Sequence, residues 1–190
     1  GVASGDESSA IGIGNRASGE YSAALGAYGV AKGRGSLAVS TFFQVEGSPA
    51  DYDLDLDGDG INETNSHAAI ATGDSAVAVG TSAWAKGNSA TAVGVGNTTE
   101  GDRSGTFGFG NSTVMRESNA IGYDNHVVSG EGGAQAFGGS NRASDGNAFG
   151  FNNNVAVGNA FGNNNTVTVD YAAIRPARNG ATHSAINRRP

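Results

Sequence analysis

Four aspartates stand at alternate positions, Asp53, Asp55, Asp57 and Asp59, with Gly60 directly after them and Glu63 three residues further on. Alternating carboxylates followed by a glycine that permits a sharp turn suit Ca²⁺, which takes about six to eight oxygen ligands. The opening resembles a helix–loop–helix calcium loop, whose twelfth position supplies a bidentate Glu. Here the twelfth position is Ser66 counted from Asp55 and Thr64 counted from Asp53, so Glu63 or Asn62 serves only in another loop geometry. Asp53, Asp55, Asp57, Asp59 and Glu63 are the candidate Ca²⁺ ligands. The competing reading is a solvated acidic loop, although like charges this dense repel unless a cation neutralises them. Phe42, Phe43 and Tyr52 accompany the acids. They are either anchors for a partner or staples that hold the loop to the rest of the domain.

Elsewhere the chemistry is sparse. His67, His126 and His183 share no metal-ligand spacing and read as exposed turn residues. There is no cysteine, hence no disulfide, thiolate site or cysteine nucleophile. Gly94-Val95-Gly96 and Gly108-Phe109-Gly110 lack the Gly-Lys-Ser/Thr of a phosphate loop. No Gly-x-Ser-x-Gly elbow occurs. No catalytic residue and no required cofactor emerge, and an enzyme is not expected.

The net charge is −7, and residues 41–65 hold seven acids and no Lys or Arg. The remainder therefore balances eleven acids against eleven bases. A neutral body with an acidic insert argues against nucleic acid as a partner, since phosphate binding needs a basic stripe. Arg175, Arg178, Arg188 and Arg189 make a basic end that reads as a junction.

These residues must be positioned by a chain of unusual composition. Gly 32, Ala 30, Ser 19 and Asn 19 make just over half of its 190 residues. Val, Phe, Ile and Leu together number only 34, below the ~20% that an ordinary core requires. The alternatives are disorder or a repeat that uses small residues in register. No apolar run approaches the ~20 residues of a membrane span.

A small–apolar–small tripeptide recurs at Ala10-Ile11-Gly12, Ala24-Leu25-Gly26 and Ala38-Val39-Ser40. After a break it returns at Ala78-Val79-Gly80, Ala92-Val93-Gly94, Thr106-Phe107-Gly108, Ala120-Ile121-Gly122, Ala136-Phe137-Gly138, Ala148-Phe149-Gly150 and Ala160-Phe161-Gly162. Ala69-Ile70-Ala71 reads as a degenerate copy. One constant step separates the copies from Gly12 to Ser40 and again from Gly80 to Gly122. The step lengthens once, to Gly138, and then shortens twice, to Gly150 and Gly162. Around Val93 the order Thr91, Val93, Val95 alternates with Ala92, Gly94, Gly96, a strand signature. Gly at this density disfavours helix, at about 1 kcal/mol per interior position. Each unit reads as strand, turn, strand, turn, which makes an all-β parallel roll, a solenoid of about 14-residue coils. Trp84 is expected on a coil edge.

One strand face carries Ala and Gly, the other a column of Ile11, Leu25, Val39, Val79, Val93, Phe107, Ile121, Phe137, Phe149 and Phe161. The pattern leaves open which face points into the coil. With the small face inside, the column becomes an apolar stripe that soluble monomers rarely expose, and identical chains would bury it. With the bulky face inside, the case for association falls away.

Ser9-Ala10-Ile11-Gly12, Ser75–Gly80 and Asn88–Gly94 resemble the Asn-Ser-Val-Ala-Ile-Gly motif of YadA-like head domains of trimeric autotransporter adhesins. The companion Ala-x-Gly-x-x-Ser stands at Ala17–Ser22 and Ala31–Ser36. The resemblance spans roughly residues 5–165 apart from the insert. It implies a left-handed β-roll, a homotrimer, attachment to a host surface or extracellular-matrix protein, and display at the bacterial cell surface. The membrane anchor is expected outside this fragment of the parent protein. Departures are Met115, Arg116 and Glu117 in place of the Ala-x-Gly core, and Asn147 and Asn159 two residues before Phe149 and Phe161. The expected organisation is coils over 1–40, an acidic insert over 41–65, coils over 66–165, and a C-terminal edge, neck or next head module over 166–190. The alternative reading is a single-chain calcium-binding solenoid or a solenoid enzyme domain. Titration calorimetry tests the insert: Ca²⁺ heat is expected from the unmutated chain and its loss when Asp55, Asp57 and Asp59 are together changed to Asn. No heat from the unmutated chain ends the calcium reading.

Overall fold

The computed structural model describes residues 1–41, 68–128 and 133–168. Asp53, Asp55, Asp57, Asp59, Glu63, Phe42, Phe43 and Tyr52 lie outside the described residues, as do His67, His183 and the C-terminal arginines. Within them the chain is an all-β parallel solenoid of about ten turns, in which every strand pairing is parallel. A typical coil has a two-residue strand, Trp84–Ala85, a turn, a five-residue strand, Thr91–Val95, and a second turn. The next coil repeats it with Thr98–Thr99 and Gly105–Phe109. Val93 pairs with Phe107 and Ala85 with Thr99, so each strand stacks on its counterpart in the following coil.

The interior is as narrow as the composition demands. Ala24, Ala38, Ala78, Ala92, Ala120, Ala136 and Ala148 on the long strands are fully buried. Ala17, Ala31, Ala71 and Ala85 meet them from the short strands. Where Thr106 takes an alanine place, Thr99 lies within hydrogen-bond distance across the core, Oγ1 to Oγ1 2.7 Å. Thr99 donates its own proton to Thr91 O at 2.9 Å, so Thr106 is the donor in that contact. The polar pair is thereby satisfied without widening the coil.

A buried asparagine ladder follows the repeat glycine by three residues. Asn97, Asn111, Asn125, Asn141 and Asn153 have almost no exposed surface. Asn111 Oδ1 accepts from Asn125 N and Nδ2, both at 3.0 Å. Asn125 Nδ2 also donates to Ile121 O at 3.1 Å in its own coil and to Gly138 O at 2.9 Å in the next. The same set recurs through Asn165. Each amide thus bonds long-strand carbonyls in its own coil and in the next, and couples one coil to the following one. The ladder is missing at Gly29, Ala69 and Ala83, which occupy its register. There Ser40 takes the repeat glycine's place, and its Oγ accepts from Ala69 N at 3.2 Å. The glycine itself is demanded at positions such as Gly94, where φ is 120°. A Cβ there would overlap the carbonyl oxygen of Gly108.

Two adjustments keep the stack continuous. Leu37 pairs with Val77, so the coils on either side of residues 42–67 stack in register. Thr41 is still held by the following coil, N to Gly80 O at 3.4 Å. The shorter coils arise in the strands Arg142–Phe151 and Asn154–Asn163, where the turn between short and long strand contracts and the two strands merge. Ala69-Ile70-Ala71, read above as a copy of the long-strand tripeptide, belongs instead to the short-strand column. Ile70 pairs with Val30 and Trp84. The small–apolar–small pattern occurs on both sheets, and only the register separates them.

Joining Thr41 directly to Ala68 should restore a coil of the ordinary length. The shortened chain is expected to keep its β-type circular dichroism and a cooperative melt, because the coils on either side already stack in register. Asn125→Ala should cost about 2 kcal/mol or more by stranding buried carbonyls, while Asn88→Ala should cost less than about 1 kcal/mol because water replaces its exposed bond to Asp74 N. Urea titration distinguishes the two.

Candidate functional site

With Ala filling the coil, three residues of each long-strand segment point outward, the one before the buried Ala or Thr, the one after it and the one two further on, which form the first, third and fifth columns. The third column is Ile11, Leu25, Val39, Val79, Val93, Phe107, Ile121, Phe137, Phe149 and Phe161, stacked in register. In the single chain Ile11 is 62% exposed and Phe161 72%, and the members between range from half-buried to exposed. The structure therefore settles the face left open by the pattern: the methyl face is inside and the bulky face outside. Phe137, Phe149 and Phe161 stack with ring centroids 5.1 and 5.0 Å apart and planes within 4°.

A second apolar column lies beside it. The fifth residues include Ile13, Val95, Phe109, Tyr123 and Phe151, all exposed. Tyr123 lies over the bare backbone of Gly139 and approaches Phe151 at 6.2 Å between centroids. Sequence reasoning singled out the third column alone. The signal for the fifth was present in the pairs Ile11/Ile13, Phe107/Phe109 and Phe149/Phe151, two apart on one strand face. The first column is smaller and more polar, and Asn119 with Gln135 and Asn147 with Asn159 form two side-chain amide pairs in it. Asn119 Nδ2 donates to Gln135 Oε1 at 2.8 Å, and Asn147 Nδ2 to Asn159 Oδ1 at 2.7 Å.

Across ten coils these columns hold thirty positions and no Asp, Glu, Lys or Arg, although 15% of the chain is charged. Among the described residues the charges lie outside these columns. Lys86 pairs with Glu100 at 2.9 Å and lies 5.3 Å from the Trp84 ring centre, and Arg103 pairs with Glu117. These pairs join neighbouring coils on the exposed surface, where each contributes little. Trp84 stands within the short strand Trp84–Ala85, not at a coil edge.

His126 is likewise a strand residue, in His126–Val127, and not a turn residue as its isolation in sequence suggested. Its Nδ1 lies 2.7 Å from Ser112 Oγ in the preceding coil and its Nε2 3.2 Å from Asp124 Oδ1. The three types are those of a hydrolytic triad, but they lie on an open sheet face. The backbone N–H groups of Ser112 and His126 are spent in the ladder, donated to Asn125 O and Asn141 O at 2.8 Å, and cannot form an oxyanion hole. A shallow depression of about 260 Å³ is lined by Gly133, Ala134, Asp145, Gly146, Asn147, Gly158 and Asn159. Its lining holds no nucleophile beside a base. Among the described residues no group of three or more His, Asp or Glu side chains could hold a metal ion. The arrangement is suited to surface contact.

Residues 3–28, 71–97 and 85–104 match the family model of the YadA head domain repeat. The matched stretches end before the aromatic coils begin at Phe107. No curated protein matches the chain.

Proposed function

From a chain whose coils carry YadA head domain repeats, the mark of a YadA-like head of the trimeric autotransporter adhesin type, we propose an adhesin head that works as a homotrimer on the bacterial cell surface. Three left-handed rolls share their long-strand faces. The short-strand sheets and turns remain outside to contact a host surface or extracellular-matrix protein. The observation that carries this reading is the uncharged outward face. Ten coils at about 4.8 Å and four residue steps of about 3.3 Å make it roughly 48 by 13 Å, on the order of 600 Å². That is the upper end of what monomers leave exposed, and its contour adds to the flat area. It approaches the ~800 Å² that one partner contributes to a stable interface. A fibre head with three equivalent outer surfaces gains avidity for a repetitive host target without tight single-site binding. The charged and polar residues of the outer turns keep such an assembly soluble.

Sedimentation equilibrium tests the reading. The expected mass is three times the 18.8 kDa of the single chain. Val93→Asp should lower it to that of one chain with circular dichroism unchanged, because three carboxylates would otherwise be desolvated together at the axis. Thr98→Asp, on the short-strand face, should leave the trimer intact. A monomer from the unmutated chain would defeat the proposal and favour a single-chain solenoid.

A further inference from the structure

Within that trimer, on which this inference rests, we infer that the corners are made by the first column of one chain packing against the fifth column of the next. Three sheet faces around an axis meet at three corners. A threefold axis carries no translation, so each coil meets the same coil of its neighbours. The third column then faces the axis. At each corner one chain presents the starts of its long strands and the next chain presents their ends.

The side chains at these levels are matched in size. Leu37 and Val77, the bulkiest aliphatic residues of the first column, stand at the levels of Thr41 and Thr81 in the fifth. Gly105, the only glycine of the first column among the described residues, stands at the level of Phe109. The Phe107 ring reaches over Gly105, with Cε2 2.9 Å from where a Cβ would stand. Phe109 of the next chain therefore arrives against an aromatic ring instead of bare backbone. Gln135, the longest side chain of the first column, stands at the level of Gly139, the smallest residue of the fifth. A face packed symmetrically, first column on first column, would set Leu37 against Leu37 and leave Gly105 against Gly105. Neither column carries a charge, so the match is one of shape.

Because the chain has no cysteine, disulfide trapping reads the corner directly. Thr91 and Val95 lie four residues apart on one strand, about 13 Å, too far for a disulfide within a chain, which needs Cα atoms within about 7 Å. The variants are Thr91→Cys, Val95→Cys and the double variant in the full 190-residue chain, with Val77→Cys/Thr81→Cys as a second pair. Each is checked by circular dichroism and by sedimentation under reducing conditions, then oxidised with diamide. The expected result is a reduced trimer for all, covalent dimer and trimer bands for both double variants, and no covalent product for either single variant. A reduced trimer whose double variants do not cross-link, or whose Thr91→Cys or Val95→Cys alone gives a covalent dimer, overturns the corner and leaves the trimer standing. Unmutated chain and variants that sediment as monomers overturn the trimer and the corner with it.

Discussion

The width of the coil governs everything else in this molecule. Two sheets joined by short turns come so close that only small side chains fit between them, mostly Ala, with Thr106, Val127 and Val155 among the largest. Ala24, Ala38, Ala78 and Ala92 fill that space without any exposed surface. An interior side chain much larger than valine would push the sheets apart, so the long aliphatic and aromatic residues of the long strands are displaced to the outside. The core therefore stabilises each coil modestly, and the outer columns remain half-buried to exposed in the single chain. A protein poor in Leu and Ile can be well ordered under these conditions because its coils share one register.

That register is kept by polar groups as well as by methyls. In a parallel solenoid the strands satisfy one another, and long-strand carbonyls such as Ile121 O and Gly138 O also accept from side chains. The buried amides of Asn97 to Asn153 bond these carbonyls within a coil and across to the next, so each step of the stack is specified by directional bonds. Where the ladder is absent, at Gly29, Ala69 and Ala83, the coils are those next to Thr41 and Ala68 in the stack. Ser40 supplies a single substitute bond there. The most strongly cross-linked part of the roll is thus the part that carries the aromatic columns.

The uncharged face and the charged turns divide the surface into two roles. Apolar columns unbroken by a single ionic side chain can be desolvated without stranding a charge, whereas the turns hold pairs such as Lys86–Glu100 that remain in water. This division, more than any cluster of reactive groups, is what the proposed assembly and attachment rest on. Ser112, His126 and Asp124 show the contrast. Their types and distances resemble catalytic machinery, yet on a flat sheet with its backbone donors already used they act as one more link between coils.

The constant step between copies, its late shortening, the alternation of small and bulky positions, and the parallel stacking they require were all legible in the sequence. These are properties of the covalent chain: side chains alternate along a strand whatever lies on either side. The direction of that alternation was not legible, because it depends on the volume left between two sheets, and only the folded coil sets that volume. The fifth column, with Phe109 and Tyr123, and the asparagine ladder were written at the same spacing as the repeat. Their meaning appears only when residues one coil apart become neighbours. Ile70 illustrates the limit most clearly, since its tripeptide fits either sheet and pairing with Val30 and Trp84 alone assigns it. Local pattern determined what each coil could be, and the stacking of one coil on the next decided which side faced in, which side was left for a partner, and where a buried amide was needed.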